Sequence, residues 1–273
     1  MRDMLEEAEA HRTDGYRAAK IANRQPELRR FYKEVSVGPQ DGGWAVLLDG
    51  KPVRTPGRKI VAAPSEALAE AMAAEFAAQG EVVQFRDMPI VRLVNAAVEG
   101  GAEAAGAMRE EIAKFAGTDL LLYRADSPES LVAAQDEAWD PVLVALARRL
   151  GVKFQPTIGI VHQAQPAITL QRVRETLEGE GHVALAALLS ITNLTGSALL
   201  TVALRLGLSD PDAVWTAAHV DEDFNRRQWG EDAEAAARRA FRTAEYEAAV
   251  AVLGALGSVS ANQANRTTER RPT

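Results

Sequence analysis

The densest concentration of potential chemistry lies between His219 and Asp223, where an imidazole is followed by Asp221, Glu222 and Asp223. One imidazole and three carboxylates so close together have the composition of a divalent-metal site or of an acid–base pair. Helical geometry argues against convergence. At about 100° per residue, Asp221 and Asp223 point roughly 160° apart with the helix body between them, so the triplet needs ligands from another element to hold one cation. A solvated acidic face is the plainer interpretation. The other histidines are His11 in a polar arm, His162 in an irregular connection and His182 at a helix start, positions where a surface or core role is more ordinary than catalysis. Gly42-Gly43 sits in a hairpin rather than before a helix, and the chain has no phosphate-loop, dinucleotide-loop, nucleophile-elbow or HExxH pattern. It also has no cysteine, which removes disulfides, thiolate metal sites and cysteine nucleophiles. No catalytic residue, metal ligand or cofactor is therefore expected.

The element that carries the acidic triplet is more informative. The spacing predicts a helix over 210–229, with Ala213, Ala217, Val220 and Phe224 on an inward stripe. Trp215, Ala218, Glu222 and Trp229 fall within about 60° of one another on the opposite side. A helix apolar on two sides is either sandwiched in the core or offers one side to a partner, and tryptophan is enriched at interface hot spots. Pattern alone leaves both open. A further helix over 231–255 opens on Glu231 and Asp232 and repeats small or apolar residues at Ala237, Ala240, Phe241, Ala244, Ala248 and Val252.

Upstream, the period is two. Phe31, Lys33, Val35 and Val37 alternate with polar or small neighbours, and Trp44 to Leu48 runs into Asp49-Gly50, a strong hairpin signal. Val53-Arg54-Thr55 reads as the return strand, Pro56-Gly57 as a second turn and Lys59 to Ala63 as another short strand. Ser65 can cap a helix carrying Leu68, Ala71, Met72, Glu75 and Phe76 on one face, ending at Gly80. From Met88-Pro89 onward the helical period dominates, with helices expected at 102–116, 128–150, 167–178 and 183–206. Residues 119–124 and 153–161 could be strands or irregular. Val183 to Leu204 contains no charged residue, but Ser190, Thr192, Asn193, Thr195, Ser197 and Thr201 mark it as a buried bundle helix rather than a membrane span.

These patterns predict an α+β protein: a polar arm (1–29), a small β-rich N-terminal domain with an antiparallel sheet plus helix (30–85), a larger all-helical C-terminal bundle (86–255) and a disordered tail (256–273). The net charge of −7 disfavours a nucleic-acid partner. Asp3, Glu6, Glu7 and Glu9 disfavour a secretory or transit leader and point to a soluble cytoplasmic protein.

Several segments resemble the ATP12 family of F1-ATPase assembly chaperones, in register over about residues 30–253. They are Arg30 to Val35, Leu48 to Pro56, Glu75 to Gly80 and Met88 to Leu93, then Asp119 to Arg124, Trp139-Asp140-Pro141, Leu194 to Ser197, Asp221-Glu222-Asp223 and Gln228 to Asp232. The resemblance implies a two-domain bacterial protein, without catalysis, that binds the free α subunit of the ATP synthase F1 sector at a surface later occupied by β. It also implies dependence on acidic residues in the helical part. Glu222 is the first candidate, with Asp223 and Glu231 behind it, and the Trp215/Glu222/Trp229 face is the expected meeting surface. A monomer is the favoured state of the free protein.

Overall fold

The computed structural model describes residues 28–230 and 232–259. Most of the expected polar arm, residue Glu231 and most of the expected C-terminal tail lie outside the described residues.

The period-two region folds as β1 (Val35–Gln40), β2 (Gly43–Leu48) and β3 (Lys51–Pro52), an antiparallel sheet in that order. Asp49 and Gly50 both take positive φ, 48° and 77°, as the Asp-Gly signal requires of a primed turn. The Asp49 carboxylate accepts from the Lys33 and Glu34 amides at 3.0 and 2.8 Å, fastening the turn to the entry of β1. The return strand is shorter than expected. Pro52, Pro56 and Pro64 lack N–H groups, so beyond β3 the ladder survives only as isolated bridges, Arg54 with Ile60 and Trp44 with Ala63.

Helix α1 (Glu66–Ala77) lies on the sheet through Leu68, Ala69, Met72 and Phe76. The hydroxyl of Ser65 accepts from the Leu68 amide at 3.2 Å as the cap, and donates to the carbonyl of Ala255 at 2.8 Å. Pro89 opens α2 (Pro89–Gly100), whose first amides are met by a neighbour: Glu75 accepts from Ile90 and Val91 at 2.9 and 2.8 Å. Burial pushes that carboxyl up to about 7.

The helical part continues as α3 (Ala105–Phe115), α4 (Glu129–Leu150), α5 (Ala167–Glu175), α6 (His182–Thr195), α7 (Ala198–Arg205), α8 (Pro211–Ala218), α9 (Val220–Trp229) and α10 (Ala233–Ala255). Central α6 packs against α2, α3, α7 and α10. One apolar cluster runs from Tyr32, Val46 and Leu68 through Ile191 to Leu253. The two ambiguous segments meet as a parallel pair, β4 (Tyr123–Arg124) with β5 (Thr157–Ile158).

Two expected helices are each divided. The 183–206 helix breaks at Gly196, which takes φ 67° and so ends α6 in the left-handed region, while Ser197 caps α7. No described helix is long and apolar enough to cross a membrane. A Cβ at Gly196 would meet nothing within 4 Å, so Gly196→Ala is expected to cost only the backbone strain, about 1–2 kcal/mol in urea unfolding. The 210–229 helix breaks at His219, with φ −116° and ψ 17°.

An acidic corner on α9

The three carboxylates begin α9, where the helix dipole favours them; Asp221 turns to α4, whereas Glu222 and Asp223 turn to α10 and share Arg239. Asp221 accepts from the Gln135 amide on α4 at 2.8 Å. Glu222 accepts from Arg242 at 3.1 Å and lies 3.6 Å from Arg239. Asp223 accepts from Arg239 at 2.5 Å, with Arg226 at 3.3 Å. The triplet diverges as the helical wheel requires, and among the described residues no group of three or more His, Cys, Asp or Glu is placed to hold a metal ion. Arg242 also donates to the Leu194 carbonyl at 2.7 Å, covering an otherwise unpaired group in the last turn of α6. Glu222 and Asp223 thus clamp α9 to α10, and Arg242 extends the clamp to α6.

His219 is buried at the break between α8 and α9. Its Nδ1 lies 2.7 Å from the Trp215 carbonyl and donates to it, leaving Nε2 without a partner. Burial holds its pKa below the ordinary histidine value, so the 3.8 Å approach of Nε2 to Glu222 joins a neutral ring to a carboxylate and is not an ion pair.

The break also corrects the expected aromatic face. A wheel carried from 215 to 229 assumes one axis, and His219 ends that axis. Trp215 is half-buried, its ring 4.0 Å from His219 and 4.7 Å from Tyr246 on α10. Through His219 it still adjoins Glu222. Trp229 stands apart, seven residues beyond Glu222 on the same side of α9, and is 87% exposed. Of the predicted inward stripe, Ala217, Val220 and Phe224 are buried and Ala213 is exposed.

What positions this corner is a set of buried polar groups that pattern reasoning missed. Asp119, fully buried, accepts from Leu121 N at 3.1 Å, Ser197 Oγ at 2.7 Å and Leu199 N at 2.9 Å, joining the 119–124 segment to the start of α7. Burial outweighs those hydrogen bonds and pushes the carboxyl up to about 6. Arg124 donates to Asp136 at 3.1 Å and Asp140 at 2.6 Å on α4 and lies over the Trp139 ring. Trp139 in turn donates its indole N–H to the Ala217 carbonyl at 2.7 Å, holding the last turn of α8. Between α4 and the α8–α9 pair runs an open groove of about 1030 Å³. Ala138, Val142, Ala217 and Val220 give it an apolar floor, and Glu137, Asp210, Asp212 and Asp223, against the single Arg227, give it an acidic rim.

A small antiparallel sheet leads into a helical body whose clamped acidic helix ends on an exposed tryptophan, an α+β architecture shared with proteins named as chaperones. A family model described as ATP12 chaperone protein matches residues 29–147. Mitochondrial protein atp12 of Schizosaccharomyces pombe is 26% identical over 218 residues, covering 76% of this chain and 75% of that protein. Among solved structures, the Atu1473 protein of Agrobacterium tumefaciens superposes with a TM-score of 0.81 at 45% identity, covering 87% of this chain and 90% of that one. Atp12 from Paracoccus denitrificans superposes with a TM-score of 0.75 at 36% identity, covering 82% and 97%. The chain belongs to the ATP12 chaperone family.

Proposed function

We propose that this protein is an assembly chaperone of the F1 sector of ATP synthase, acting in the cytoplasm without catalysis. It binds the free α subunit and covers the surface that β later takes. The observation that carries the site is Trp229: an indole left 87% exposed on the same side of α9 as Glu222. An indole offers a large apolar area at little conformational cost, and such residues anchor contact surfaces when a partner covers them. Glu222, half in water and oriented by Arg239 and Arg242, is placed to pair with a cation or backbone donor on the partner. Transfer to β requires only that β hold α more tightly than the chaperone does, so a modest interface suffices.

Titration of purified α onto the full chain tests this reading. Trp229→Ala should weaken binding at least tenfold and leave the melting temperature unchanged, because the ring covers little of its own protein. Glu222→Lys should weaken binding as well, with a small loss of stability, since it sets a third cation beside Arg239 and Arg242. Wild-type affinity in Trp229→Ala would remove α9 from the interface, and failure of the unaltered chain to bind α would remove the proposal itself.

A further inference from the structure

The groove between α4 and the α8–α9 pair uses a different side of α9 from the one that carries Glu222 and Trp229. At about 100° per residue, its Val220, Asp223 and Arg227 stand about 100° to 160° around the helix from Glu222. The acids on its rim are unequal in availability. Asp210 accepts from the Ala213 amide at 2.8 Å as the cap of α8, and Asp223 is held by Arg239. Glu137 on α4 and Asp212 on α8 are exposed, and neither side chain has a hydrogen bond or ion pair among the described residues. Their end of the groove is negative enough to be felt inside the protein: burial pushes the Tyr246 hydroxyl pKa up, and the Asp212 and Asp210 carboxylates push it further the same way. Pro141 stands one turn beyond Glu137 inside α4 and lines the same groove. Having no N–H, it cannot donate to the Glu137 carbonyl, so the residue that carries the exposed carboxylate also offers a main-chain acceptor without its helical donor.

An apolar floor below unpaired carboxylates and a spare carbonyl calls for an occupant with apolar side chains along one side and Lys or Arg beside them, because only cations complement such a rim. The net charge of −7 sets a second copy of this chain against the same acids, and a nucleic acid would be repelled by them as well. We infer that the groove docks a cationic amphipathic segment of the client, its apolar side on Ala138, Val142 and Val220 and its cations at Glu137 and Asp212. The inference rests on the proposed binding of α and adds to the contact at Trp229 a second one, on another side of α9.

Titration of purified α onto the full chain at several salt concentrations tests it. Glu137→Gln combined with Asp212→Asn keeps both shapes and removes both charges; it should weaken binding about tenfold at low salt and flatten the decline of affinity with rising salt. The same neutralisation at Glu70 and Glu111, exposed on α1 and α3, should change neither. Because the chain has no cysteine, a single photoactivated crosslinker can also be placed. Benzophenone carried on Thr216→Cys, an exposed position of the groove, should capture a stretch of α that holds at least two Lys or Arg among apolar residues. Wild-type affinity and salt dependence in the neutralised variant would overturn the inference while leaving α binding in place. So would capture of a stretch of α without cations, or crosslinked dimers of this chain as the main product, which assign the groove to a second copy. Failure of the unaltered chain to bind α would remove the proposed function first and this site with it.

Discussion

Asp119→Ala is expected to cost about 2–4 kcal/mol of unfolding free energy at neutral pH, because it leaves the amides of Leu121 and Leu199 and the hydroxyl of Ser197 without their acceptor in a dry site. For a chain of this size that corresponds to a fall in melting temperature on the order of 10 °C. The cost also depends on pH in a defined direction. The folded-state carboxyl is pushed up to about 6 from an ordinary 3.8, so the folded state holds its proton over a range where the unfolded state has released it. The stability this confers is complete below about pH 4 and is lost as pH rises through about 6, a change on the order of 3 kcal/mol. The deficit of Asp119→Ala relative to the wild type should therefore widen as pH falls from 7 to 4, and so should that of Asp119→Asn, which cannot titrate. Urea titrations of the three proteins across that range measure it. A gap that stays constant or narrows on acidification would mean that the hydrogen bonds, and not burial, govern the carboxyl.

Trp139→Ala should be as damaging, about 3–5 kcal/mol, since it empties a fully buried indole site and unpairs the Ala217 carbonyl. Trp139→Phe separates the two contributions. It retains most of the volume and loses only the hydrogen bond, so about 1–2 kcal/mol is expected. In both variants amide exchange should accelerate most along α8 and the start of α9, the elements that the indole holds against α4. Through those elements both variants should weaken α binding although neither touches the proposed contact surface. If the phenylalanine variant lost as much stability as the alanine one, the hydrogen bond and not packing would be the dominant contribution.

The parts of the fold that could be read from sequence are those written in local chemistry. Asp49-Gly50 specifies its turn through two adjacent residues, Ser65 caps α1 across three positions, and Pro89 starts α2. The division of the long apolar helix was also legible, since Gly196 and Ser197 form a stop followed by a start; the lack of charge from Val183 to Leu204 drew attention to continuity instead. The break at His219 has no such mark. It contains neither glycine nor proline, and it coincides with contacts to residues far along the chain: Trp139 holding Ala217, Tyr246 beside Trp215, and Arg239 and Arg242 on the acids. Because that break was invisible, the helical wheel set Trp215 and Trp229 on one face and left burial or exposure open for it; the structure packs the Trp215 ring beside Tyr246 on α10. Within α9 the periodicity holds, and Glu222 and Trp229 do share a side. A groove lined by Leu28, Phe31 and Phe85 was equally illegible, since it forms where residues 28–30 pair with residues 81–83 far along the chain.

The hydroxyl of Ser65 joins the start of α1 to the end of α10, 190 positions away. During translation, α1, the first of the described helices, therefore waits for the last of them, α10, to be made before that bond can close. A nascent chain stopped short of α10 would hold a hairpin, α1 and an uncovered α6 in an unfinished state. If the proposed function holds, a chaperone of this kind is thus itself in need of guarding until α10 is made.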